Sequence, residues 1–357
     1  MKISQDKWNL SDESYGPLLP YVIDENVTDI NYNGESVWIE DLSKGCYKAM
    51  VPDESTGLQK PLELDSAFVN RFCTRVSNVV SENFNKYDNL LEAETDTLRI
   101  SIIHDSVAST GTSISIRKTP AIRRLTKDKI LEEHYCTEEI LSLLINCIKA
   151  KMNLVFCGLP GAGKTELLKF CTKYIPENEK VMTIEDNLEI HYRSINPGSN
   201  CVELKVNEEL FSYTKAIKAA LRQNPQWVML SEARSIEVKY LIEAFSTGLH
   251  GLTTMHTDDV RNIPDRIENM MQDSRAAERL ENDIYTFINV GVLLRKKMLE
   301  NGKVVRYVEQ VCFFDRVNNS NMISLNVDGG NVVSRELPAN IKKKFMLEGI
   351  ANPFLSY

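Results

Sequence analysis

The chain has 357 residues, 43% of them hydrophobic and 26% charged, a balance that suits a folded globular protein with room for two ordinary domains. Its formal net charge of −8 provides no global basic field to attract nucleic acid, so direct nucleic-acid binding is not expected. Apolar runs fall short of the roughly 20 residues that span a bilayer, so no membrane-crossing helix is expected either.

Residues Met1 to Pro20 are polar and interrupted by Gly16 and two prolines, which does not read as a signal peptide, and cytosolic residence follows as the expectation. The eight cysteines (Cys46, Cys73, Cys136, Cys147, Cys157, Cys171, Cys201 and Cys312) stand singly, without CxxC spacing. Buried reduced thiols are expected, not a zinc site.

The first third reads as a small mixed domain. Thr28–Asn33 and Ser36–Glu40 are short strand-like runs around Asn33-Gly34, a pair that favours a two-residue hairpin with positive φ at both positions. A helix is predicted from about Asp65, its N-cap, with Phe68, Phe72, Val76 and Val79 on one face. Leu98–Ile103 and Thr112–Arg117 alternate as half-buried strands do, with Ile114 and Ile116 sharing a face. Around Pro120 the pattern breaks among Arg117, Lys118, Arg123 and Arg124, and an exposed basic connector is expected there.

Beyond it, Leu141, Leu144, Ile145 and Ile148 mark an amphipathic helix capped by Thr137. Apolar runs at Leu154–Cys157, Val181–Ile184, Val228–Leu230 and Leu252–Met255 then alternate with helical stretches, which argues for a parallel sheet covered on both faces. Ile288–Leu294 and Val304–Phe314 read as a later β-rich addition joined across Asn301-Gly302, and a last helical piece lies near Ile341–Leu347.

Gly158-Leu159-Pro160-Gly161-Ala162-Gly163-Lys164-Thr165 matches GxxxxGK[ST] in full. Glycines let the backbone curl until successive N–H groups face one anion, and the helix starting near Lys164, with Glu166 in its first turn, adds its positive end. Lys164 supplies a point charge for the β/γ-phosphates and the Thr165 hydroxyl suits a magnesium ligand. The chain is therefore expected to bind ATP with Mg2+. Hydrolysis also needs a group to orient water, and two apolar runs end in acids: Val228–Leu230 before Ser231-Glu232, and Val181–Ile184 before Glu185-Asp186, with Glu189 following.

With these residues assembled, the chain resembles the secretion and traffic ATPase superfamily, which powers type II and type IV secretion, conjugation and pilus assembly. The likeness rests on the P-loop, on Thr183-Ile-Glu-Asp-Asn-Leu-Glu189 (similar to the family's Asp box), on Leu230-Ser-Glu-Ala-Arg234 (similar to its Walker B element) and on Ser246–His256 (similar to its His box). Arg222 looks like the arginine preceding Walker B. Asp29–Gly34 and Ile114–Lys118 look like the conjugation and Tad-pilus branch, and the resemblance spans about residues 18 to 315. Departures are Ser231 for glycine, Ala233 for a larger aliphatic residue, Gln226 for aspartate, and Leu249 where the first His-box histidine is expected, with His250 one place later.

The resemblance implies an α/β fold, a RecA-like P-loop NTPase domain with a smaller α+β N-terminal domain, in a homohexamer. Expected boundaries are 1–120 for the N-terminal domain, 121–136 for the basic linker, 137–330 for the ATPase domain with its β extension, and 331–357 for a helical tail. It implies nucleotide contacts from Arg99, Arg117, the Arg123-Arg124 pair and Arg222. In the resulting scheme Glu232 polarises the attacking water and stands near the metal held by Thr165. Glu185, with Asp186, supports water or metal, and Arg234 and His256 sense the γ-phosphate. Implied partners are a membrane platform protein at the cytoplasmic face, a coupling protein or pilin-handling subunits. A RecA-like nucleic-acid motor, a small-molecule kinase and a non-hydrolysing ATP-binding scaffold remain as other uses of the same loop.

Overall fold

A computed structural model describes residues 10–53, 55–207, 210–271 and 274–356, the side chains of 274–279 excepted. The reading of Met1–Pro20 thus rests partly on residues 1–9, outside those described. Two units emerge: Met1–Ala121 with Met298–Val304, and Ile122–Lys297 with Val305–Tyr357.

In the first unit, alternating apolar residues build a six-stranded sheet. Its strands are β1 (Val27–Tyr32), β2 (Val37–Asp41), β3 (Gly45–Lys48), β4 (Leu90–Glu94), β5 (Leu98–Ile103) and β6 (Ser113–Lys118), in the order β3-β2-β1-β6-β5-β4. Ile30, Ile100, Ile102, Ile114 and Ile116 point to one face, where Phe68, Phe72 and Val76 of helix α1 (Ser66–Val80) bury them in a single core. The Asp65 side chain starts α1 by accepting the Phe68 N–H at 2.6 Å. Asp65→Ala should cost about 1 kcal/mol, the usual worth of such a cap; urea unfolding read on this unit would show it as a lowered midpoint at constant slope.

The β1–β2 hairpin differs from the two-residue turn expected. Tyr32 pairs with Val37, leaving the four residues 33–36 in the loop. There the Asn33 carboxamide oxygen accepts the Glu35 and Ser36 N–H groups, so an Asx-type turn replaces the tighter one. Gly34 alone takes positive φ, +93°, and a Cβ there would lie 2.2 Å from the Thr110 carbonyl, so close approach also demands glycine.

The second unit has a mostly parallel sheet. Its strands are β7 (Leu154–Cys157), β8 (Val181–Glu185), β9 (Cys201–Lys205), β10 (Trp227–Leu230), β11 (His250–Met255) and β12 (Val290–Met298), continued by β13 (Val304–Val317), β14 (Ser320–Asp328) and β15 (Asn331–Val332). The order is β9-β8-β10-β11-β7-β12-β13-β14-β15, with every pairing from β9 through β12 parallel. Leu154, Phe156, Trp227 and Met229 enter one core, while Val155, Cys157, Val228 and Leu230 face the opposite side. Burial on both faces explains why these strands read as unbroken apolar runs. This is the α/β class expected, a RecA-like core with a smaller α+β unit.

Three expectations change. The run from Ile288 is no late addition, because β12 pairs directly with β7 in the main sheet. Residues 121–136 are no exposed connector: Leu125, Ile130, Tyr135 and Cys136 are buried in the second unit's core. Residues 331–357 are no separate tail either, since Ile341 and Phe345 of helix α8 (Ala339–Leu347) enter the same core, labelled in chain order after α2 (Glu138–Lys149), α3 (Lys164–Cys171), α4 (Tyr213–Leu221), α5 (Glu237–Ser246), α6 (Ile263–Asn269) and α7 (Ser274–Phe287). In both segments apolar residues spaced to pack, Leu125 and Ile130 in one and Ile341 and Phe345 in the other, outweigh the basic residues beside them. Among the cysteines, Cys46 is exposed on β3 and Cys201 half-buried, the other six buried. Among the described residues, no helix is long and apolar enough to cross a membrane.

Candidate nucleotide site

β7 delivers the P-loop at its C-terminal end. Gly158, Gly161 and Gly163 have φ of +144°, +75° and +93°, and a Cβ on Gly158 would sit 2.4 Å from the Leu294 carbonyl. No side chain fits there; a curled chain of amides does. Leu159-Pro160-Gly161-Ala162 closes on itself through Ala162 N–H donating to Leu159 O at 3.2 Å, with proline and positive-φ glycine at the middle positions as a type II turn requires.

Lys164, only 8% exposed, donates to the carbonyls of Gly158 at 2.9 Å and Leu159 at 3.4 Å. Its Nζ also lies 3.3 Å from Nδ1 of His256, one residue beyond the end of β11. An ammonium only donates, so Nδ1 accepts and the neutral ring carries its proton on Nε2. Burial, then the Lys164 charge, lowers the His256 pKa, consistent with that neutral form. Nε2 faces Glu232 Oε1 at 3.1 Å, and Glu232 Oε2 accepts from Arg234 at 2.8 Å. Arg234 in turn donates to Asp186 at 3.0 Å. The chain of contacts thus runs Lys164, His256, Glu232, Arg234, Asp186, across the C-terminal ends of β7, β11, β10 and β8.

The loop carrying Glu232 is fixed from behind. Ala233 N–H donates to Thr254 O at 2.8 Å, and the Thr254 hydroxyl donates to Ser231 O at 2.6 Å. Glu237, at the start of α5, accepts the N–H groups of Arg234 and Ser235 at 2.6 and 2.7 Å. Thr165, first-turn neighbour of Lys164, donates to Glu189 at 3.3 Å. Thr165, Glu189 and Glu232 are thus oxygen donors of the kind magnesium takes, grouped beside the P-loop.

Glu185 differs from its expected role. It is fully buried, and its Oε2 accepts the N–H groups of Glu189 and Ile190 at 2.9 and 3.0 Å. Burial raises its pKa to about 8, so at neutral pH the carboxyl is mostly protonated and unfit as a water-facing anion. It shapes the loop that presents Glu189. Because the native carboxyl holds its proton to higher pH than an unfolded one, stability present below the unfolded pKa is lost as pH rises toward 8. Glu185→Gln keeps an oxygen for both amides and removes that loss. Its melting temperature should match wild type near pH 5 and exceed it near pH 8, the gap growing by at most about 1.4 kcal/mol per pH unit.

Other expected residues lie elsewhere. Arg222 caps the C-terminal end of α4, before β10 begins, and His250 opens β11 against Trp227 with ring centroids 5.3 Å apart. Both occupy the N-terminal edge of the parallel strands, opposite the P-loop edge, and neither joins this chain's cradle. Arg123 is spent on Lys169 O, Thr172 and Asn196 at 3.0, 3.2 and 2.6 Å, tying the segment before α2 to the end of α3; Arg124 is half-buried beside it. Arg99 and Arg117 are register partners in the first unit, where Arg117 donates to Asp29 at 2.8 Å and Arg99 lies 3.8 Å from Glu92. Glu166 reaches back to the buried Lys169 at 3.5 Å instead of forward to the cradle.

Sequence reasoning missed two cations. Arg306 of β13 donates through Nε to Gly161 O at 2.8 Å, and a Cβ on Gly161 would sit 3.7 Å from Lys296 Nζ of β12. The available signal was strand phase: Val304 and Val308 are buried, and Arg306 shares their side of β13.

Comparison with known proteins bears on the family and the fold. The family model described as type II/IV secretion system protein matches residues 29–306. An uncharacterised Bacillus anthracis protein, pXO2-25, is 25% identical over 80% of this chain and 64% of its own length. The type IV secretion system protein VirB11 of Bartonella quintana is 29% identical over 42% of each. The chain therefore spans less than two thirds of these relatives' own lengths. In fold, the Legionella pneumophila ATPase DotB superposes with a TM-score of 0.61 at 16% identity, covering 87% of this chain and 83% of that one. The pilus retraction motor PilT with bound ADP gives 0.57 at 18% identity, covering 84% and 83%. With most of its length matched by that family model, this chain belongs to the type II/IV secretion system protein family, within the secretion and traffic ATPases.

Proposed function

We propose that this protein binds Mg–ATP at Gly158–Thr165 and hydrolyses it as a homohexameric motor of a type IV-like secretion, conjugation or pilus-assembly machine. It would act at the cytoplasmic face of a membrane on a platform protein, with a coupling protein or pilin-handling subunits as further partners. The observation that carries the reading is the unbroken polar chain from Lys164 through His256 and Glu232 to Arg234 and Asp186. That chain supports the reading because it connects Lys164, a cation suited to phosphate, with Glu232, an acid suited to orienting water, and with Arg234.

The cradle's amides, Lys164 and the neighbouring oxygen donors fit a magnesium-bound triphosphate. When bound, magnesium would be held by Thr165 with Glu189 and Glu232 close by, and would neutralise phosphate charge. This chain's own residues do the rest. Lys164 exchanges its loop carbonyls for phosphate oxygens, which frees His256 Nδ1. Glu232 orients the attacking water and takes its proton, while His256 and Arg234 hold the carboxylate in place. Movement of His256 and Arg234 as the γ-phosphate leaves would carry the signal outward.

The test pairs calorimetry of Mg–ADP binding with phosphate release and with mass in solution, with and without a non-hydrolysable ATP analogue. Binding, release and a nucleotide-favoured hexamer are expected. Binding without release would leave a scaffold, and no binding by folded protein would end the nucleotide reading altogether.

A further inference from the structure

The carbonyls of the P-loop are mostly taken from within. Lys164 donates to those of Gly158 and Leu159, Ala162 N–H to that of Leu159, and Leu167 N–H to that of Gly163. Gly161 is the departure: its carbonyl accepts from Arg306 Nε, 145 residues further along the chain. Gly161 is also the positive-φ corner of the Pro160-Gly161 turn, at the exposed apex of the loop. The Arg306 stem runs on past the loop's second bend, since a Cβ on Gly163 would come 3.4 Å from its Cδ.

From this we infer that Arg306 is a positioning residue for nucleotide, pinning the P-loop apex in its anion-accepting shape before any ligand arrives. The inference rests on the nucleotide-site reading above and adds the residue that preorganises it. Several features make this pin effective. A guanidinium is a planar fork of donors, pre-organised to hold a carbonyl. Its bond gives the Gly161 carbonyl, at the exposed apex, a charge-assisted donor in place of water. The turn needs glycine at its corner, the residue with most conformational freedom to lose, and so gains most from an outside tether. The tether also comes from β13, a strand held in the sheet on its own account, with Val308 N–H donating to Tyr135 O at 2.8 Å.

A residue that shapes the empty loop affects binding more than chemistry, because bound phosphates hold the loop themselves. Arg306→Gln should therefore raise the Kd of both Mg–ADP and Mg–ATP about tenfold, with KM following and kcat held within about twofold. Arg306→Lys, which keeps a charged donor, should recover part of that affinity. Melting temperatures of both variants should stay close to wild type, because Arg306 is only half-buried at the strand's start. Unchanged Kd in Arg306→Gln would overturn the inference. So would a fall in kcat at constant KM, which would mean that the guanidinium acts on the transition state, or equal losses in Gln and Lys variants together with lowered melting, which would make it a strand brace. Wild-type protein is titrated first: absence of Mg–ADP binding there would defeat the nucleotide reading itself, whereas a binding wild type with an indifferent Arg306→Gln would defeat only this step.

Discussion

Replacing Lys164 by alanine is expected to remove nucleotide affinity and turnover together. The ammonium is bonded to Gly158 O and Leu159 O within the loop and faces His256 Nδ1. Its loss deletes the charge that meets the β/γ-phosphates and unsettles the ring that steadies Glu232. We expect Kd for Mg–ATP to rise at least about a hundredfold, two charge-assisted hydrogen bonds at roughly 1.5–3 kcal/mol each, with phosphate release at background. The fold should not suffer, since burial already lowers the Lys164 pKa and alanine removes a charge that is expensive to bury. Calorimetry beside a melting curve checks both halves. A well-folded Lys164→Ala protein still binding within threefold of wild type would show that the phosphates sit elsewhere.

Glu232→Gln should separate binding from hydrolysis. Both carboxylate oxygens accept now, Oε1 from His256 and Oε2 from Arg234. Glutamine offers one acceptor and one NH2 group. If its oxygen keeps Arg234, the NH2 group meets His256 Nε2–H. To accept there, the ring must move its proton to Nδ1, where the Lys164 ammonium donates before nucleotide binds. Either proton arrangement sets two donors against each other, and neither leaves a base for water. We expect phosphate release to fall by about 10²–10⁴, the usual worth of a positioned general base, with Mg–ATP affinity within a few-fold of wild type. A Glu232→Gln protein releasing phosphate at the wild-type rate would transfer the role to another acid, Glu189 or Asp186 being nearest to hand.

The parts of this site legible in the sequence share one property: they are local. The P-loop is eight consecutive residues whose glycines, lysine and hydroxyl each have one physical job. Glu232 comes two places after a four-residue apolar strand, and His256 directly after a six-residue one. Parallel strands bring such C-terminal ends together whatever the loops between them do. Asp65 and Thr137 were readable as caps for the same reason, since each acts within three residues. Glu185 was misread because an acid after an apolar strand looks alike whether it faces water or turns inward. Only burial and the two amides of Glu189 and Ile190 distinguish the cases. Arg222 was drawn in by motif order, while the sheet's direction puts it at the other edge. Arg306 had only a phase signal, blurred by Val305 beside Val304, and its partner lies 145 residues away. In the hairpin, Asn33 and Gly34 were rightly seen as turn residues, but the Asn33 side chain's bonds to the Glu35 and Ser36 N–H groups go with a four-residue loop.

Grouping Met298–Val304 with the first unit changes how the protein can be taken apart. The chain passes from one unit to the other three times, between residues 121 and 122, 297 and 298, and 304 and 305. A single cleavage near residue 121 therefore frees neither half. The fragment starting at Ile122 would carry away Val304, which is almost fully buried, and strip the Ser43 carbonyl of the N–H that meets it at 2.7 Å. Anyone hoping to crystallise or shuffle the halves would need to splice out the β12–β13 tip as well, because cuts both near residue 121 and at that tip would leave three pieces, with each unit still built from more than one of them.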